Sequence, residues 1–168
     1  TSQYEVNIIG FDSKNIKSTK DIVFHPIKPF DRLSFDRLFK PVSIYKNYIK
    51  VKPKIIIINT HDLLIVTCLY KILFGCIIVY DIRENYAKNI QSTAVFPALL
   101  RPFIAAWVRL KEWSARPFIK HFILAESVYV KQLPFLSKNR TVIENKYAPR
   151  ENEQTAYRNP DPNFIDLT

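Results

Sequence analysis

A chain of 168 residues is long enough for one domain with a tail, and a 48% hydrophobic content excludes general disorder. The formal net charge of +10 predicts attraction to polyanions, without choosing among nucleic acid, anionic lipid and phosphorylated ligands. Only Gly10 and Gly75 are present, which excludes a glycine-rich dinucleotide fingerprint or a P-loop.

Tyr4 to Gly10 reads as a buried strand ending in a turn, with a secretory leader absent from the opening residues. The chain contains no Met, so the expectation is a processed or truncated chain. Val23 and Phe24 predict a short second strand before His25, and Pro26 and Pro29 predict a loop. Phe30 to Lys50 has helical spacing of apolar residues, with Pro41 expected to weaken or split the helix and Lys52-Pro53 to end it.

Lys54 to Asn59 is the clearest strand: four isoleucines in a row predict burial on both faces, as in a central parallel strand. Asp62 is placed to cap a helix over Leu63 to Phe74, with Gly75 just past its end. Cys76 to Tyr80 is the next strand, so Lys54 to Tyr80 forms a strand–helix–strand unit of a parallel sheet. Cys68 and Cys76 have apolar neighbours and no metal-type spacing, and read as buried free thiols of a reducing compartment.

Pro97 to Trp113 predicts a long helix bent near Pro102. Phe118 to Leu124 reads as a strand, Ser127 to Leu133 as a short helix and Arg140 to Glu144 as a last strand. From residue 150 the composition turns to Glu, Asn, Gln, Arg and Pro, which reads as a linker or tail. No segment is apolar enough to span a membrane: Ile55 to Tyr80 is interrupted by Asn59, His61, Asp62 and Lys71.

Ligands of open parallel sheets bind beyond the carboxyl ends of strands. Two such ends are polar here, Asn59-Thr60-His61-Asp62 and Asp81-Ile82-Arg83-Glu84-Asn85-Tyr86. One crossover joins their strands, so they are expected on one rim. Taken singly, Asp62 is a helix cap, Asp81 and Asn85 are turn residues and Arg83-Glu84 is a solvated pair. Together they form a candidate pocket. His25 reads as loop and His121 as structural. The helix after Pro97 shows Trp107 among Arg101, Arg109 and Lys111, which suits either a membrane interface or packing on the sheet with cations in solvent.

The stretch IIIINTHDLLIVTCLYKILFGCIIVYDIRENYAKNI, Ile55 to Ile90, resembles the N-terminal, acceptor-side domain of retaining bacterial family 4 glycosyltransferases of the GT-B fold. The positions concerned are the His61-Asp62 pair and Tyr80, Asp81, Arg83 and Glu84, which align with a Tyr-Asp-x-His-Glu type motif. Glu112 and Val142-Ile143-Glu144-Asn145 also look like family features, and the resemblance covers Tyr4 to Pro149. Arg83 stands where many relatives have His. The strand and glycine-containing loop that open the family domain have no counterpart here.

The resemblance implies an α/β, Rossmann-like open parallel sheet with helices on both faces. Residues 1–149 would be one half of a GT-B fold, and residues 150–168 would lead toward an absent donor-binding domain. It implies a hexosyltransferase acting on a glycan or lipid-linked acceptor in polysaccharide or lipopolysaccharide synthesis, with a UDP- or GDP-sugar bound by the other domain and no metal. The catalytic candidates are then His61, Arg83 and Glu84, and the substrate-binding candidates are Asp62, Asp81, Asn85 and Tyr86. Membrane contact falls to Arg101, Trp107, Arg109 and Lys111. The expected location is the cytoplasm, at the inner face of the cell membrane, and no nucleic acid is expected. The rival reading is a basic nucleic-acid-binding α/β module, which the charge and aromatic content allow although no recognition motif is found.

Overall fold

A computed structural model describes residues 4–12, 22–29 and 36–144, the side chains of 36–38 excepted. Asn145 and the tail lie outside the described residues, as does the start of the first expected helix. The chain is α/β and Rossmann-like. Its strands are β1 (Val6–Phe11), β2 (Ile22–Ile27), β3 (Ile55–Ile58), β4 (Ile77–Ile82), β5 (Ile119–Leu124) and β6 (Arg140–Val142). Its helices are α1 (Asp36–Val51), α2 (Leu64–Phe74), α3 (Tyr86–Ser92), α4 (Arg101–Ala115) and α5 (Tyr129–Gln132).

Among the described residues all strand pairs are parallel, and they fall into two sheets, β1-β2 and β3-β4-β5-β6. Both sheets feed one core: Ile27 of β2 belongs to the same buried cluster as Ile44 and Tyr48 of α1, Ile58 of β3, Tyr80 of β4 and Phe122 of β5. The expected strand–helix–strand unit is present, with Ile58 in register with Tyr80. Gly75 ends α2 at φ 69°, its N–H bonding the Lys71 carbonyl at 2.9 Å.

Several expectations are corrected. Burial of β3 alternates: Ile56 and Ile58 are 6% and 2% exposed, Ile55 and Ile57 49% and 65%. The isoleucine run therefore covers the core on one face only. Strand β1 is half-exposed rather than buried, since among the described residues β2 is its only ladder partner, and Gly10 lies inside the strand. Strand β2 continues through His25 and Pro26 to Ile27; among the described residues it pairs with β1 alone, and proline is tolerated on such a sheet edge. His25 Nε2 lies 2.7 Å from Asn7 Oδ1 across that pair. Helix α1 runs unsplit through Pro41, whose lost bond falls near the helix start. Pro102 sits in the first turn of α4, where a missing N–H is tolerated, instead of bending it. Cys68 and Cys76 are free; Cys68 is buried and Cys76 half-buried. Among the described residues no helix is long and apolar enough to cross a membrane.

Candidate functional site

Because β3 and β4 are adjacent and in register, the two polar loops that follow them meet on one rim. Tyr86, the first residue of α3, ties them together: its hydroxyl donates to the Asn59 carbonyl at 2.7 Å, and its ring meets the His61 ring edge-on at 4.8 Å. Burial, and then the Glu84 carboxylate, push the Tyr86 phenol up to about 12, so it donates at neutral pH.

Below this surface lies a buried tier held from α4. His61 occupies a 3-10 turn, His61–Leu63, and is only 8% exposed. Its Nδ1 lies 2.9 Å from Lys111 Nζ and 3.2 Å from Asp62 Oδ1, with Lys111 Nζ 3.7 Å from the same carboxylate oxygen. The Asp62 carboxylate thus faces both the His61 ring and the Lys111 ammonium. Asp62 is not the expected cap. Thr60 Oγ1 accepts from the Asp62 N–H at 3.5 Å, and the Asp62 carboxylate faces Lys111.

The second loop is fixed by Asn85, 6% exposed, which caps α3 by accepting from the Lys88 N–H at 3.3 Å. Its amide donates to Gln132 of α5 at 3.0 Å, and its Oδ1 also accepts from Arg109. Arg109 in turn donates to Glu112 Oε2 at 2.7 Å and lies over the Phe135 ring. Glu112 is 1% exposed. Burial raises its carboxyl above the ordinary range, against the opposing pull of Arg109, and the Tyr80 hydroxyl donates to Oε1 at 3.4 Å. Tyr80 is itself raised, first by burial and then by the Glu112 charge. Among the described residues every buried side-chain N or O has a hydrogen-bond partner, so this polar layer is fully satisfied.

The exposed tier carries what a ligand can reach. Arg83, with its side chain 68% exposed, bonds Asp81 Oδ2 through Nε at 3.0 Å, leaving the terminal guanidinium edge toward solvent. Glu84 Oε2 accepts from Asn89 at 2.6 Å. The solvated Arg83–Glu84 pair is thus two separate pairs, each to a neighbour on the same rim. The Arg83 carbonyl accepts from the Tyr129 hydroxyl at 3.3 Å, which anchors the turn to α5.

The structure therefore gathers all seven rim residues and sorts them by access: Arg83 and Glu84 are exposed, Asp62, Asp81 and Tyr86 half-buried, and His61 and Asn85 buried. The four residues expected at a membrane separate. Trp107 is exposed and Arg101 half-buried, its Nε on the Phe96 carbonyl at 2.8 Å. Arg109 and Lys111 turn inward and clamp the rim. Their membership was missed because it is tertiary; the available signal was a Glu at position 112 on an otherwise apolar helix face. A shallow cavity of about 230 Å³ lies between α3 and α4, lined by Ala87, Lys88, Gln91, Pro102, Ala105 and Arg109. No protein-family model matches the chain, and a search of curated proteins finds no match.

Proposed function

We propose that this domain is the acceptor-binding half of a retaining hexosyltransferase of the GT-B type. The observation that supports it is the joining of two strand-end loops into one rim, with a guanidinium and a carboxylate exposed over a rigid buried base. In this reading Arg83 binds an anionic group of the acceptor, and its fork suits a phosphate or carboxylate. Glu84 accepts a hydrogen bond from the acceptor hydroxyl. His61 is a positioning residue, acting through the Tyr86 ring. Transfer with retention in this fold depends on orientation and on stabilising the leaving phosphate, so a strong protein base is not required. The UDP- or GDP-sugar belongs to a second domain, the acceptor is a glycan or lipid-linked saccharide at the inner membrane face, and the described domain alone transfers nothing.

The test is an amide NMR titration of the chain with a glucuronic-acid-containing disaccharide and with its neutral counterpart. Shifts confined to residues 59–62 and 81–89 are expected, with Arg83→Ala weakening the acidic sugar about tenfold or more and the neutral one little. A random-sequence DNA duplex is titrated in parallel at low and high salt. Salt-sensitive DNA binding with no saccharide response at the rim overturns the reading in favour of a nucleic-acid module.

A further inference from the structure

The cavity of about 230 Å³ between α3 and α4 has its own chemistry, apart from the rim. Its apolar wall comes from Ala87 of α3 and from Pro102, Ala105 and Ala106 of α4. Ala87 and Ala105 are 5% and 1% exposed and form its floor. The space equals the liquid volume of about seven waters. Sites for drug-sized ligands run from roughly 300 to 1,000 Å³, so an occupant here is small.

The polar lining is one-sided. Lys88 and Gln91 of α3 stand exposed at the cavity, Arg109 of α4 lines it half-buried, and no acid is among the lining residues. Arg109 is already matched in charge by Glu112 at 2.7 Å. Its guanidinium donates to Glu112 and to Asn85. A guanidinium has five N–H donors, so donors remain after these two bonds. The Lys88 ammonium has no ion pair or hydrogen bond among the described residues; its backbone N–H alone bonds, to the Asn85 cap. The cavity thus combines one uncompensated cation, spare guanidinium donors and an apolar wall. A single positive charge matches a carboxylate better than a doubly charged phosphate, and the wall matches a hydrocarbon body.

We propose that the α3–α4 cavity binds a small organic monocarboxylate. Its carboxylate lies between the Lys88 ammonium and the Arg109 guanidinium, and its hydrocarbon body rests on Ala87, Ala105 and Ala106. Gln91 meets a hydroxyl or carbonyl that the body carries. The bound anion joins α3 to α4. Arg109 also holds Asn85, the cap of α3 on the rim, so occupancy braces the rim turn without entering it. Arg83 and Glu84 do not line the cavity, and the inference goes beyond the reaction assigned to them and is independent of it.

The test is an amide NMR titration of the chain with benzoate, set against benzyl alcohol as the neutral counterpart and phenyl phosphate as the dianion. Benzoate should give saturable shifts at residues 87–91 and 102–109, with a Kd in the millimolar range or tighter. Benzyl alcohol should bind about tenfold or more weakly, and phenyl phosphate no more tightly than benzoate. K88M should weaken benzoate about tenfold, and A106L, which adds bulk at the cavity, should remove the saturable shifts. K120M takes the same charge from an exposed position on β5 and should leave binding unchanged. All three substitutions fall at exposed positions, so near-UV circular dichroism should match wild type. Equal weakening by K88M and K120M would reduce the effect to net charge and overturns the proposal. So does binding that survives both K88M and A106L, or phenyl phosphate binding about tenfold more tightly than benzoate. Shifts confined to residues 81–86, with 102–109 silent, would move the anion to Arg83 and likewise overturn the site.

Discussion

Glu112 is the residue whose surroundings conflict most. Its carboxylate is taken out of water, which raises its proton affinity, and Arg109 only partly offsets that. The folded state therefore holds this proton to higher pH than the unfolded chain does. In that window the folded state binds more protons, so stability falls as pH rises from the ordinary glutamate range toward the raised folded value. E112Q, which stays neutral, should match wild type in urea midpoint at the acid end and exceed it progressively as pH rises through the window. Parallel midpoint curves across pH would show that Glu112 does not carry the effect. The network also fixes the turn that carries Arg83: Asn85, two residues on, is held by Arg109, Gln132 and its own cap, while the exposed Arg83 side chain pairs with Asp81.

Two helix ends separate local backbone cost from packing. Lys52 follows α1 at φ 53°, donating its N–H to the Tyr48 carbonyl at 2.8 Å, while Gly75 follows α2 at φ 69° with nothing within 4 Å of where a Cβ would lie. A side chain at positive φ costs energy that glycine avoids. K52G is thus expected to stabilise by about 0.5–1 kcal/mol, and G75A to destabilise by about 1 kcal/mol, with urea m-values unchanged. A destabilised K52G would mean that its unfolded-chain entropy outweighs the relief. The end of α2 was legible because Gly75 closes an apolar helical run before a second β-branched run. Helix α3 was not, because Tyr86–Ser92 carries no apolar periodicity and depends on the Asn85 cap and on packing against α4. Likewise the polar character of both strand ends was readable, but not that Arg109 and Lys111, both in α4, reach back to hold them.

At the scale of the molecule, the sequence pattern around β3 misleads for a physical reason. Four isoleucines specify a strand strongly, yet β-branching reports strand preference as much as burial. The structure uses only alternate residues: Ile56 and Ile58 enter the core while Ile55 and Ile57 leave it. Among the described residues strand β3 pairs on one side only, with β4, and its other edge lies beside the exposed side chains of Ile55 and Ile57. Such an edge templates pairing between chains, and a lysine on it is the common remedy. I57K should therefore change unfolding free energy by no more than about 0.5 kcal/mol, because the position is solvated. The same substitution should raise the concentration at which light scattering detects self-association. Ile56→Lys is the matched control: burying the ammonium should cost several kcal/mol, of order the penalty for an unpaired interior charge. Equal destabilisation by both lysines would mean that the second face of β3 is covered in solution. An unchanged scattering onset in a stable I57K would place self-association elsewhere, with the exposed Ile65, Leu69 and Ile72 of α2 as the next residues to test.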